Sequence, residues 1–355
     1  MNDTLPLADR LLRLGVLPDE AQGEVARLRR RGPDDRALVA GLVLAGHLTP
    51  FQASQALRGR AHHLAVGPYV LLDRVGRGGM GQVFRARHRH LGRVAAVKLT
   101  RLDRHGCPDA QRRFLREARL SARMNHPHVI HALDAGAVRG THFLALEFVP
   151  GPDLGRVVRA DGPLAVGVAC EYARQAALGL AHVHSRGVVH RDVKPANLGL
   201  AGGERVVKVL DLGLATGRPR PEEAGKAVGS PDYAAPEQTA DPCRLTPQSD
   251  VYGLGASLYY LLSGRVPYPG GTAVEKVIRH HRDVPRPVEE YRPGLPAGVR
   301  DLVPRLMARH PRARPCMAEA AEELGRFATP VTEPVWAAVA TPTADIDLPT
   351  LSGGA

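Results

Sequence analysis

The chain has 355 residues, 44% of them apolar and 24% charged. That is enough to build a large core and close to soluble globular usage, which excludes a disulfide-stapled miniprotein, a fibre and wholesale disorder. The net charge of +12 invites a nucleic-acid reading, but 43 of the 48 basic residues are Arg and only five are Lys, with three Asn in the whole chain. A G/C-rich genome writes that bias whatever the function, and aromatics at 4% leave few stacking platforms for bases, so no nucleic-acid partner is expected.

Residues 1–66 read as a helical extension. Leu7, Leu11, Leu12 and Leu14 mark one helix, broken at Leu17-Pro18-Asp19. Thr49-Pro50-Phe51-Gln52 is a helix start, with Thr as N-cap, Pro in the first helical position and Gln completing a capping box. Arg27, Arg29, Arg30 and Arg31 form a basic cluster, but nine Arg against seven acids in this segment suit a solvated face. Met1–Arg10 carries Asp3 and Asp9 and lacks the basic-then-apolar order of a secretion signal. No apolar run reaches the length of a membrane helix. The four cysteines, Cys107, Cys170, Cys243 and Cys316, form no C-x-x-C pair, which fits a reducing compartment. A cytoplasmic protein without a membrane span is expected.

From Tyr69 the pattern changes to short strands, predicted at Tyr69–Val75, Gln82–Ala86, Val94–Leu99 and His142–Phe148, interrupted by a helix over Ala110–Met124. Beyond Asp153 the signals are mainly helical, as in Val168–His184 and Asp250–Ser263. The expected fold is therefore α+β, a small sheet lobe followed by a larger helical one. After Ala328 a Thr/Pro/Ala segment with three acids and no Lys or Arg reads as a disordered tail.

Gly76, Gly78, Gly79 and Gly81, followed by Val83, have the G-x-G-x-x-G-x-V spacing between two predicted strands. Glycines let a hairpin backbone approach phosphate oxygens and offer them N–H donors. In a chain with 38 Gly the spacing alone is equally a glycine-rich turn; a dinucleotide-binding fold would need a helix after it, and a strand follows instead. Ala95-Ala96-Val97-Lys98 places a lysine on an apolar strand, where an unpaired ammonium is costly. Phosphates would satisfy it, with Glu117 as the carboxylate holding it, although Glu117 taken alone reads as a surface helix acid.

The chain then reads His190-Arg191-Asp192-Val193-Lys194-Pro195-Ala196-Asn197. H-R-D-x-K-P-x-N resembles the catalytic loop of protein kinases. Asp211-Leu212-Gly213 corresponds to the family's D-F-G motif and Ala235-Pro236-Glu237 to its A-P-E. The likeness runs from about Tyr69 to Phe327 and is nearest the eukaryotic-like bacterial serine/threonine type, judging by Gly78-Gly79-Met80-Gly81 and Asn125-His126-Pro127.

The resemblance implies a two-lobed kinase domain over 67–328, with an N-lobe at 67–149 and a C-lobe at 150–328, leaving 329–355 as the tail. It implies transfer of the ATP γ-phosphate to Ser or Thr of protein substrates. Asp192 would orient the substrate hydroxyl and accept its proton, Lys194 would steady the phosphate, and Lys98, paired with Glu117, would hold the ATP phosphates. Asn197 and Asp211 would bind Mg²⁺, with Mn²⁺ as the alternative. The backbone of Glu147-Phe148-Val149 would bond adenine, with Leu146 behind it, Val83 and Ala96 over the ring, and Val75 completing the set. Ser230 keeps a hydroxyl able to bond Asp192 and Lys194, Asp250 would brace the catalytic loop, and Arg314 would pair with Glu237. Lys194 after Asp192 favours Ser/Thr over Tyr. Apart from Ser230 and Tyr233, only Thr216 supplies a hydroxyl between Asp211 and Ala235, so Glu222 or Glu223 is expected as the negative partner of Arg191. A pseudokinase or scaffold and a small-molecule kinase are the rival readings. Residues 1–66 would dock an unidentified regulator, pack on the small lobe or inhibit it.

Overall fold

The computed structural model of the protein describes residues 5–30, 32, 34–78, 81–101, 108–202, 205–212, 215, 229–240 and 246–331. Thr216, Glu222, Glu223, Gly79, Gly213 and the chain beyond 331 lie outside these. Two compact units are formed, one from Met1–Cys107 with Leu133–Phe148, the other from Pro108–Ala132 with Val149–Ala337.

In the first unit, helices α1 (Leu7–Arg13), α2 (Gln22–Arg30), α3 (Asp35–Leu44) and α4 (Pro50–Leu57) precede strands β1 (Ala65–Val66), β2 (Tyr69–Gly78), β3 (Gly81–His88) and β4 (Val94–Arg101). After the excursion into the second unit, β5 (Ala132–Val138) and β6 (Thr141–Glu147) complete a six-stranded sheet in the order β1-β2-β3-β4-β6-β5. The capping box opens α4 as the sequence indicates, with Gln52 N–H donating to Thr49 Oγ1 and Thr49 N–H to Gln52 Oε1. The helices bury apolar residues at helical spacing, such as Leu7 and Leu11 in α1 and Leu38 and Leu42 in α3. Their common core extends to Val70 of β2. Residues 1–66 are therefore not a body apart: they pack with the sheet in one unit.

Pairing sorts the sheet residues by face. Tyr69, Phe84, Ala86, Ala95, Val97, Phe143 and Ala145 form one buried cluster, against which Phe51 of α4 packs. Ala96 and Lys98 alternate with Ala95 and Val97 and so point to the opposite face, beside Val83, Leu144 and Leu146 in the cross-strand register. The helical module thus sits on the reverse of the face that carries Lys98.

The second unit contains α5 (Pro108–Ala122), α6 (Leu154–Asp161), α7 (Val166–Ser185), the hairpin β7 (Leu198–Ala201) and β8 (Val206–Val209), then α8 (Pro236–Ala240), α9 (Pro247–Ser263), α10 (Ala273–Arg282), α11 (Ala297–Leu306) and α12 (Met317–Gly325). α5, expected within the N-lobe, groups here: Leu120 packs on a cluster of Met124, Val129, Val183, Val188, Leu212 and Ala215. α9 is buried from Ser249 to Ser263 and forms the axis of the core, as an all-round apolar helix must. Beyond Ala328 the chain remains held as far as Val331, with Thr329 N–H donating to Gly167 O at 3.1 Å and Arg205 to Val331 O at 2.5 Å. Among the described residues no helix is long and apolar enough to cross a membrane.

The shared core predicts a coupled response. Leu11 has no exposed surface, and Leu11→Ala is expected to cost about 2–5 kcal/mol. In urea titrations the first unit should lose helix and sheet signals in one transition at a lower midpoint.

Candidate active site

The second unit assembles its polar centre on the segment between α7 and β7. Asp192 and Lys194 lie two residues apart, Lys194 on extended backbone, and the side chains meet at 2.7 Å, with 11% and 24% of their surfaces exposed. Ser230 closes the triangle: Lys194 Nζ donates to Ser230 Oγ at 2.6 Å, and Ser230 donates to Asp192 Oδ1 from both hydroxyl and backbone N–H at 3.0 Å. Asn197 Nδ2 donates to the Asp192 carbonyl at 2.7 Å and to its Oδ2 at 3.1 Å. One carboxylate thus gathers an ammonium, a hydroxyl and an amide, and charge-assisted bonds of this kind hold its rotamer.

The β7–β8 hairpin carries Asp211 to this centre. Leu198 pairs with Val209, and one step further Leu210 N–H donates to Asn197 O at 2.8 Å. Asp211 follows with an exposed side chain and φ of +57°, while Leu212 buries itself in the cluster around Met124. His190 ties the two segments together, since its Nε2 bonds the Leu210 carbonyl at 2.9 Å and its Nδ1 accepts from Asp192 N–H at 3.3 Å. A carbonyl can only accept, so the proton sits on Nε2.

Beneath the loop lies Asp250, 1% exposed in the first turn of α9. Its Oδ2 accepts from His190 N–H at 2.8 Å and from His184 Nε2 at 2.7 Å, and its Oδ1 from Arg191 N–H at 2.8 Å. Burial opposes the charge, but His184 and the N–H donors outweigh it and hold the carboxyl below its ordinary value. Arg191 adopts φ of +74°, a conformation costly for a non-glycine residue. It is gripped on both sides, because its carbonyl also accepts from Gln238 Nε2 at 2.8 Å. Gly229 must be glycine here: its φ is +97° and a Cβ would come within 2.9 Å of the Arg191 carbonyl.

Glu237 and Arg314 fix the far side, with Arg314 Nη1 and Nη2 on the two Glu237 oxygens at 2.6 and 2.9 Å and Ser249 Oγ donating to Oε1 at 2.8 Å. Burial again opposes ionisation, and Arg314 overcomes it and keeps Glu237 below the usual range. Gln238 and His184 were not singled out from the sequence. The signal for Gln238 is its place directly after Ala235-Pro236-Glu237; that for His184 is an imidazole in the last turn of the helix that leads into His190-Arg191-Asp192.

The remaining candidates are divided between the units, with Glu117 and Val149 in the second and the others in the first. Lys98 is buried on β4, opposite Val83 and Leu144. Glu117 of α5, which alone reads as a surface acid, is buried as well. Gly76 pairs with Val83 and Gly78 with Gly81 at the end of the β2–β3 hairpin. Gly81 has φ of +146°, and a Cβ there would lie 2.2 Å from the Leu99 carbonyl, whereas at Gly76 it would meet nothing. The fold itself therefore demands glycine at 81 but not at 76. Val75 is 54% exposed, Val83, Ala96 and Glu147 are half-buried, and Leu146 is buried. Val149, half-buried, opens the second unit's long segment.

The Protein kinase domain family matches residues 69–324. The chain is 36% identical to the serine/threonine-protein kinase pkn3 of Myxococcus xanthus over 69% of its length and 47% of the relative's. To PknE of Mycobacterium bovis it is 35% identical, over 70% and 44%. To PrkC of Bacillus subtilis it is 32% identical, over 69% and 38%. The chain thus spans less than half the length of these curated relatives.

The two depressed carboxylates make this scaffold acid-sensitive. A carboxyl that holds its proton less tightly folded than unfolded contributes stability above the ordinary carboxylate range, and that contribution is lost as pH falls through its lowered folded value. The urea midpoint of the second unit should therefore fall between about pH 5 and pH 3. The Asp250→Asn, Glu237→Gln double variant should start lower and show a flatter profile.

Proposed function

This chain belongs to the protein kinase domain family and is of the bacterial serine/threonine type, and from that premise we propose that it transfers the γ-phosphate of ATP to Ser or Thr hydroxyls of protein substrates. The observation that carries the reading is the Asp192–Lys194–Ser230–Asn197 constellation. Phosphoryl transfer asks for positioning and charge neutralisation more than for covalent chemistry. Asp192, with its carboxylate oriented by Asn197 and Lys194, is the group to align an incoming hydroxyl and take its proton. Ser230 already places a hydroxyl 3.0 Å from Asp192 Oδ1, the distance such a substrate group needs. Lys194 is the cation for the transferring phosphate.

Most of the nucleotide contacts in this reading come from the first unit. Residues 76–81 would meet the phosphates through backbone N–H groups, and the open space over Gly76 suits a close approach. Lys98, a buried cation on the face shared with Val83 and Ala96, would hold the phosphates, with Glu117 as its carboxylate partner. The backbone of Glu147 and Val149 would bond adenine, with Val75 and Leu146 around the ring.

A divalent metal fits the donors present. Asn197 turns its amide N–H groups to Asp192, which directs its oxygen elsewhere, and Asp211 presents an exposed carboxylate. Two hard oxygen ligands suit Mg²⁺, which keeps water and takes phosphate oxygens for the rest, and Mn²⁺ accepts the same set. Bound there, the ion would neutralise charge on the phosphates. Protein substrates, a cytoplasmic setting and a regulator acting through residues 1–66 complete the proposal.

A phosphotransfer assay with labelled ATP and a generic basic protein tests it. Asp192→Ala should lower kcat by a factor of about 10²–10⁴, and chelation of divalent ions should abolish transfer in the wild type. Lys98→Met should raise KM for ATP. Label entering a small-molecule acceptor but no protein would overturn the reading, as would wild-type activity equal to that of Asp192→Ala.

A further inference from the structure

α4 grips both strands of the hairpin whose end carries the glycine-rich residues 76–81. On β2 the pairing with β3 runs from Leu71 opposite Ala86 to Asp73 opposite Arg85, so Leu72 is the extra residue of a bulge. β1 accompanies β2 only at Tyr69 and Val70, and where it stops the next two carbonyls turn to α4. Gln52 Nε2 donates to Leu71 O at 2.9 Å and Thr49 Oγ1 to Leu72 O at 2.5 Å. Gln52 is 2% exposed, so its bond is shielded from water. On β3 the ring of Phe51 packs on that of Phe84, with centroids 5.8 Å apart. Phe84 in turn pairs with Arg74 and Val97. A second irregularity, between Arg74 and Gly76, separates this grip from the glycines.

We propose that Thr49, Phe51 and Gln52 are positioning residues for the phosphate loop, so that the helical module sets how tightly the nucleotide triphosphate is held. This rests on the reading of residues 76–81 as an ATP-binding loop. A bulged, edge-exposed strand slips and frays unless something covers it, and the loop can present its N–H donors in one arrangement only if the strands beneath it keep theirs. α4 supplies that cover from the face opposite Lys98, where it leaves the nucleotide side of the sheet unobstructed. The capping box gives each polar residue two tasks. Gln52 Oε1 accepts from Thr49 N–H and serves the helix, while Nε2 serves the hairpin.

That division allows a selective test on the full-length chain. Gln52→Glu keeps the acceptor of the capping box and removes the donor to Leu71. It should raise deuterium uptake in peptides covering residues 71–85 and raise KM for ATP about fivefold to tenfold, with kcat at saturating ATP within about twofold of wild type. Thr49→Ser, which retains the hydroxyl, should match wild type in both readouts. Phe51→Ala, which keeps the capping box and removes the ring's packing on Phe84 and on the apolar clusters it borders, should reproduce the Gln52→Glu pattern and stands in for it if that variant does not fold. Wild-type uptake across 71–85 in Gln52→Glu and Phe51→Ala would overturn the grip. Raised uptake with an unchanged KM would overturn its link to the nucleotide. If the wild type itself transfers no phosphate, the kinase reading fails, and the uptake measurements still decide whether α4 holds the hairpin.

Discussion

The second unit is organised around one buried carboxylate. Asp250 takes the backbone N–H groups of His190 and Arg191 and the imidazole of His184, which fixes the two residues that precede Asp192. A charge at 1% exposure is tolerable because both of its oxygens are met by donors and because it lies in the first turn of α9, where backbone N–H groups favour negative charge. The positive φ of Arg191 is held from both ends, by Asp250 on its N–H and by Gln238 on its carbonyl. Asp192 follows directly and meets Lys194, Asn197 and Ser230.

Further elements extend this grip rather than add separate ones. Gln238 holds the Arg191 carbonyl while accepting from Ala235 N–H, so the Ala235-Pro236-Glu237 segment and the 190–197 segment share a residue. His190 does the same for the segment leading to Asp211. The Glu237–Arg314 pair anchors the base, and Arg314 also lies over the Tyr252 ring at 4.9 Å and bonds three backbone carbonyls. Rigid support of a few converging side chains by many others is what precise placement requires.

Much of this was legible in the linear chain, because residue type and short spacing carry it. H-R-D-x-K-P-x-N keeps Asp192, Lys194 and Asn197 within eight residues, so the motif is local even though the network that supports it is not. In a chain that writes Arg almost everywhere a cation is wanted, Lys at 98 and 194 stands out, and Arg serves poorly where a compact point charge is needed. The capping box of α4 was equally plain. Strand β5 escaped notice because Ala132–Val138 lacks β-branched and aromatic residues apart from its last position. α5 was legible as a helix but its packing was not, since periodicity reports which face is apolar and not what covers it.

The sequence by itself determined the family, the order of the motifs, the residues with reactive side chains and the helical character of residues 1–66. All of these depend on composition and on contacts between near neighbours in the chain. Only the tertiary structure decided that Asp250 reaches back some sixty residues to two particular N–H groups, that Gln238 belongs to the same network, and that α4 covers a bulge in β2 on the side away from Lys98. Those are pairings between distant segments, selected by which buried donors and carbonyls would otherwise lack partners, and no local pattern encodes that requirement.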